Sequence, residues 1–524
     1  MPDTQFPRGR RMVGAVGVLA LALGAALGSA GSAAGLPTPT PAPPPAVILD
    51  LTAKPVLKWS VPDRYQASWS AYNSATSSYD PAVINPTAWS LQLDGCSSTA
   101  VAAITGYHFT VARIGTRWQR TVDTAACRLN LKRLLPAQGA YRVSLTLHTR
   151  GSVPGVSRPA SRTARIRDYL IVSVGDSLAS GEGNPDRPGS YHVHVDLHGH
   201  VSASTVRAAQ WKDRRCHRSA NSGPARAAAA LERSSPYTSV TFVSLACSGA
   251  EIANLIDVPY AGSEPIGHST VRPQTEAVAA LVGPHAPRGG RTIDSMLISA
   301  GINDLHFSDI IARCATNVEP PWVDSASCVT DGGIAGSLDG LRRSYALLAF
   351  VVAWSLPNTR KVYLNDYPAN VFEGGGCGLL GIAGVGIDAH EGAVMTRWGE
   401  RMNAAIATAA RTFAGDPERW NLVGGLEQRF NGHAYCAAHS WFVSYEHSWR
   451  YQGNNKGTAH PNAAGQVGQR HADPPGDRVG LANHRGPSGS VSPVGRAAVS
   501  DRLPTGPTIS RSRGRGSKRS CRHT

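Results

Sequence analysis

"YLIVSVGDSLASGEG", residues 169–183, decides how the chain is read. Tyr169–Val174 is an unbroken run of residues suited to a strand, and it ends at once in Gly175-Asp176-Ser177. An apolar run without alternation fits a strand buried on both faces, as in a parallel sheet. Such a strand fixes the serine from below. Gly175 permits the tight exit, and Gly181 and Gly183 keep the approach to the hydroxyl open.

Further along, short apolar runs alternate with helical patterns. Strands are expected at Val240–Ala246, Met296–Ala300, Lys361–Asn365 and, more weakly, Trp420–Val423. Helices are expected near Gly223–Glu232, Gln274–Leu281, Leu338–Val352 and His390–Phe413, the last with Val394, Trp398, Met402 and Ile406 at helical spacing. Strand–helix alternation implies an α/β fold with a parallel sheet covered on both faces. Ligands bind beyond the carboxyl ends of such strands. Cys247-Ser248-Gly249-Ala250 follows the second strand, Gly301-Ile302-Asn303-Asp304 the third, and His460-Pro461-Asn462 stands far downstream. A serine needs a base to become a nucleophile, and a histidine that titrates near neutrality suits that role. Attack on an ester carbonyl makes an oxyanion, which preorganised donors stabilise. The Ser177 and Gly249 N–H groups and the Asn303 amide are the candidates. Each cluster alone is a weak signal; the ordered set is a strong one.

These four clusters, "GDSLASGEG", "LACSGAE", "SAGINDL" and "GTAHPNAAGQ", resemble the blocks of the SGNH, or GDSL, hydrolases, in the form of secreted actinobacterial esterases and lipases. The resemblance implies a flavodoxin-like α/β/α sandwich over residues 168–466 and no metal or organic cofactor. It makes Ser177 the nucleophile, His460 the general base, and Ser177, Gly249 and Asn303 the oxyanion hole. The family usually has an aspartate three residues before the histidine, where this chain has Gly457; the Gly457 carbonyl is the expected substitute for orienting the imidazole. Glu446 is a remote alternative, and Asp176 and Asp304 are expected to anchor turns. A closing helix is usual after "HPNAAGQ", but here the chain soon reaches Pro474 and Pro475. Residues 467–524 therefore read as a basic disordered tail.

The remaining chain frames this domain. Residues 1–34 read as a signal peptide: Arg8, Arg10 and Arg11 precede an uncharged apolar stretch, and small residues follow. A Pro-rich linker fills 35–46. Residues 47–167 show period two, as in "AYRVSLTLHT", and predict a small Ig-like β-sandwich without helices. Trp59, Trp69 and Trp89 are expected in packing. Glu373–Gly386 is glycine-rich but lacks the lysine of a phosphate loop. Nine cysteines in an exported chain imply disulfides. Connectivity is not readable from sequence; neighbourhood suggests Cys96–Cys127, Cys216–Cys247, Cys314–Cys328 and Cys377–Cys436, with Cys521 left over.

The formal charge of +16 invites a nucleic-acid reading, but eleven Lys/Arg against three Asp/Glu after Gln466 account for half of it. No specific nucleic-acid partner is expected. The chain reads as a secreted, monomeric serine esterase or lipase acting on a small-molecule or lipid ester, with the tail and β-domain free to touch the cell envelope. Two alternatives stand beside this. One is an O-acetyl esterase of polysaccharide or wall glycan. The other is an envelope-binding adhesin with an inactive hydrolase fold, which would not need the intact Ser177/Gly249/Asn303/His460 set.

Overall fold

The computed structural model describes residues 47–196, 200–316, 331–375, 377–378, 386–412 and 419–472. The expected leader, the linker, Cys328, Cys521 and residues 473–524 lie outside these, as do the side chains of Cys314 and Cys377. Among the described residues no helix is long and apolar enough to cross a membrane.

Five strands form the central sheet: β1 (Asp168–Gly175), β2 (Ser239–Ser244), β3 (Ile293–Ser299), β4 (Thr359–Asn365) and β5 (Trp420–Val423). Their order is β2-β1-β3-β4-β5, and every neighbouring pair is parallel. This is the flavodoxin-like strand order, with its switch point between β1 and β3. All eight residues of β1 and all six of β2 are buried. The pleat sends Leu170, Val172 and Val174 to one core, with Val278, Leu341, Val352 and Met402. It sends Tyr169 and Ile171 to the other, with Ala225, Ala228 and Leu231 of helix Gly223–Arg233. Both faces are thus covered, which is why these strands read as continuous apolar runs.

The N-terminal part is a β-sandwich. One sheet holds Ala103–Arg113, Gln119–Thr124, Gly139–Arg150, Ala160–Ile166 and two short strands; the other pairs Lys58–Ser60, Trp89–Asp94 and Arg128–Leu135. Phe109, Tyr141, Leu145 and Leu91 fill the space between them. Cys96–Cys127 joins its loops.

Two expectations need correction. Residues 47–167 are not free of helix: Tyr65–Ser70 and Pro81–Ile84 are helical. This segment also leaves the sandwich and docks on the α/β domain, where Trp69 packs with Phe242, and Tyr72, Tyr79 and Ile84 join the other core. It covers the outer edge of the sheet. Phe242 N–H donates to Ser68 Oγ at 2.9 Å and Ser244 N–H to Tyr79 Oη at 3.0 Å, so side chains satisfy an edge that would otherwise be open. Second, the closing helix is present, at Ala463–Ala472. Gln466 and Gln469 are buried in it, and Gln466 Oε1 accepts from Gly223 N–H at 2.7 Å. The chain therefore stays in the fold beyond Gln466. A hairpin of Ser190–Val195 and Val201–Arg207, unforeseen from sequence, packs against helix Tyr445–Gln452.

Candidate active site

Ser177 opens a one-turn helix directly after β1. Asp176 caps it, its carboxylate accepting from Leu178 N–H at 3.0 Å and from Tyr367 Oη–H at 2.5 Å. Burial pushes the Asp176 carboxyl up to about 7 against these donors. Gly175 has φ +133°, and a Cβ there would stand 1.9 Å from the Ser299 carbonyl, so only glycine fits. The Gln274 amide brackets Gly175: it accepts from its N–H at 2.6 Å and donates to its carbonyl at 2.8 Å.

Ser177, Gly249, Asn303 and His460 all line one cavity of about 540 Å³ at the carboxyl end of the sheet. Gly249, at φ +84°, leaves room for the Tyr260 hydroxyl, which a Cβ would approach to 2.4 Å. Asn303 Nδ2 donates to the Ala250 carbonyl at 2.9 Å, which fixes the plane of an amide that still carries a second hydrogen. Asp304 accepts from Ile252 N–H at 3.1 Å, tying the Asn303 turn to the segment after Gly249. It anchors a turn, as expected.

His460 is held between Val443 and Gly457. Its carbonyl accepts from Val443 N–H at 2.8 Å, and its own N–H donates to the Gly457 carbonyl at 3.1 Å. The ring Nδ1 lies 3.1 Å from the Thr458 carbonyl. The Thr458 carbonyl thus joins the expected Gly457 carbonyl beside the imidazole, because Ala459, at φ +60°, turns the chain back before the histidine. Glu446 is out of reach: its side chain is 69% exposed and pairs with Arg450 at 2.7 Å.

A carboxylate does stand near the histidine, and sequence reasoning missed it. Glu182, from "GEG" after Ser177, is fully buried. It accepts from His217 Nδ1 at 2.6 Å and from Gln452 Nε2 at 2.5 Å. His217 Nε2 in turn meets Glu264 Oε1 at 3.0 Å, and the ring stacks on Trp211. Gln452 also donates to Asn454 Oδ1 at 2.8 Å, at the head of the loop that carries His460. Burial opposes the charge on Glu182, but His217 outweighs it and holds the carboxyl low; burial likewise opposes the charge on His217, and Glu182 and Glu264 outweigh it and hold the imidazole high. Burial pushes the His460 imidazole below its ordinary value, and the Glu182 charge and the two carbonyls pull it part of the way back. The cue in the sequence is the pair of polar residues beside fixed points: Glu182 between two glycines and His217 beside Cys216.

Cys216–Cys247 closes this arrangement. It joins the residue before His217 to the residue before Ser248-Gly249, and Ser248 N–H donates to the Cys216 carbonyl at 3.1 Å. Cys436 is disulfide-bonded as well.

The α/β part of the chain has a flavodoxin-like fold, with Ser177, Gly249 and Asn303 beyond the carboxyl ends of β1, β2 and β3 and His460 brought to them from the loop before helix Ala463–Ala472. No protein-family model and no curated protein matches the sequence. Among solved structures, the chain is similar to the extracellular lipase of Streptomyces rimosus, at 21% identity over 58% of this chain and 97% of that one, with a TM-score of 0.38. It is also similar to phospholipase A1 of Streptomyces albidoflavus, at 20% identity over 58% and 97%, with a TM-score of 0.34. A third is the acetylxylan esterase Axe2 of Geobacillus stearothermophilus, at 15% identity over 58% and 91%, with a TM-score of 0.27.

Proposed function

We propose that the protein is an exported carboxylic ester hydrolase that works through an acyl-enzyme on Ser177. The observation that carries this is the shared cavity of Ser177, Gly249, Asn303 and His460. Ser177 Oγ attacks the ester carbonyl while His460 takes its proton. The carbonyl oxygen becomes an oxyanion facing the Ser177 and Gly249 N–H groups and the Asn303 amide. The imidazolium then protonates the leaving alcohol. Water, activated by the same imidazole, attacks the acyl-enzyme and frees the acid and the serine. The pair Ser177–His460 acts with carbonyl support at Nδ1 in place of a carboxylate.

The cavity favours a lipid or acyl ester over an acetylated glycan. Ile302, Phe307, Ile310, Val371, Trp398 and Met402 give it a largely apolar wall, and its volume of about 540 Å³ far exceeds an acetyl group. Export is supported by the disulfides Cys96–Cys127 and Cys216–Cys247.

The test is hydrolysis of p-nitrophenyl esters of graded chain length by the purified protein and by Ser177→Ala. The expected result is kcat/KM rising from acetate to longer acyl chains. The variant should lose at least about a thousandfold in kcat with an unchanged melt. A preference for acetate would favour the glycan esterase, and an active Ser177→Ala protein would overturn the mechanism.

A further inference from the structure

We propose that the outer face of the N-terminal sheet carries a binding site for a divalent transition metal, with His108, Asp123 and His148 as ligands. The three residues come from three adjacent antiparallel strands. His108 stands directly opposite Asp123 on one side and Thr146 on the other; His148 lies two residues along, opposite Gly106. All three side chains point away from the sandwich core that Phe109, Val111 and Leu147 enter, as the pleat requires.

Their donor atoms already converge. Asp123 Oδ1 is 2.7 Å from His108 Nδ1 and 3.6 Å from His148 Nε2. One donor atom from each of the three residues lies within 4.8 Å of the others. A tetrahedral zinc ion with ligands at about 2.0–2.1 Å spaces its donors roughly 3.3 Å apart, so small rotations of two imidazoles are enough to receive it. The site is also reachable, with side-chain exposures of 34%, 44% and 69% for His108, His148 and Asp123.

The donor set selects the ion. Two imidazoles and one carboxylate, without thiolate, suit Zn²⁺, Cu²⁺ or Ni²⁺ rather than Mg²⁺ or Ca²⁺, which prefer oxygen cages. Three protein ligands leave one position for water or for a group from a partner. The strands hold the ligand backbones rigidly, so little ordering is left for the ion to impose.

The test uses the full chain, stripped with a chelator and dialysed. ZnCl₂ is titrated by calorimetry and CoCl₂ by its visible absorption, with MgCl₂ and CaCl₂ as controls. One equivalent of zinc should bind, Co²⁺ should give a tetrahedral spectrum, and a large excess of Mg²⁺ or Ca²⁺ should not compete. His108→Ala and His148→Ala should each weaken binding by at least about tenfold, since even a lost outer-shell partner costs that much. Asp123→Asn should weaken it too, and near-ultraviolet circular dichroism should show each variant folded. Zinc binding of equal strength in the His108→Ala/His148→Ala double variant, or none in the native chain, would overturn the proposal.

Discussion

At the scale of single residues, Glu182 is the group whose removal tells most. Its charge favours the imidazolium form of His460, and its hydrogen bond to Gln452 steadies the loop that carries it. Glu182→Gln should therefore shift the acidic limb of the kcat/KM profile to lower pH and lower kcat more than it raises KM. Each unit of imidazolium stabilisation lost is worth about 1.4 kcal/mol, or tenfold in rate if fully expressed. An unmoved limb would reduce Glu182 to a structural part. Its partner gives a pH test of stability. His217 is raised from 6.5 to about 9, so its contribution is complete below 6.5 and fades as pH rises through about 9. Glu182 is lowered from 4.5 to about 2, so its contribution is complete above 4.5 and fades toward about 2. The melting-temperature gap between native protein and His217→Gln should be widest near pH 5–6 and nearly closed by pH 10. A gap that stays constant with pH would show that the pair contributes no charge-dependent stability. Ser177, Gly249 and Asn303 were legible because each follows a strand at a turn that few residue types can make; His460, which follows helix Tyr445–Gln452, was legible only from the wording "GTAHPNAAGQ". Glu182 was not, because its partners His217 and Gln452 lie 35 and 270 positions away, and the glycines and cysteine beside the pair do not reveal that the two residues meet.

At the scale of elements, Cys216–Cys247 acts as a brace between the His217 turn and the loop of Gly249. Losing a native disulfide costs about 2–5 kcal/mol in small exported domains. The Cys216→Ala/Cys247→Ala variant should melt lower, and at a temperature where it is still folded its kcat should drop because the Gly249 N–H, proposed for the oxyanion, is less fixed. A lower melt with unchanged kcat would make the bridge purely structural. The same scale explains what the sequence hid. The strands were readable because burial on both faces gives each a short stretch rich in apolar residues, such as Tyr169–Val174 and Met296–Ile298, and Trp420–Val423 was the weakest because it lies at the edge with its middle residues partly exposed. Helix Tyr65–Ser70 is only six residues, too short to show a period of its own within a stretch dominated by alternation. Helix Ala463–Ala472 was obscured because its inward positions include Gln466 and Gln469, polar residues whose burial rests on a distant partner, the Gly223 N–H for Gln466.

At the scale of the whole molecule, the two halves meet at Asp168. This buried carboxylate takes hydrogen bonds from Ser239 at 2.5 Å, from Thr241 at 2.6 Å and from Arg291, and pairs with Arg64 at 3.3 Å. Both arginines lie over the ring of Trp89, at 5.4 and 5.3 Å, in the sandwich core. Removing one member of a buried ionic group typically costs about 3–5 kcal/mol. Asp168→Ala should therefore lower a single calorimetric transition for the entire protein; two separate peaks, one unmoved, would show that the halves melt independently. The segment that covers the edge of β2 carries a further consequence, for heredity. Residues 64–85 belong to the α/β domain in space, yet the coding sequence for the sandwich strands Trp89–Ile166 separates them from β1. No single cut in the gene releases a complete α/β domain. A recombination event joining new sequence at codon 168 would hand on Ser177, Gly249, Asn303 and His460 with a bare sheet edge, a template for aggregation. Exchange of the sandwich for another module is open only to events that replace its strands on both sides, before residue 64 and between residues 85 and 168, and leave the capping segment in place.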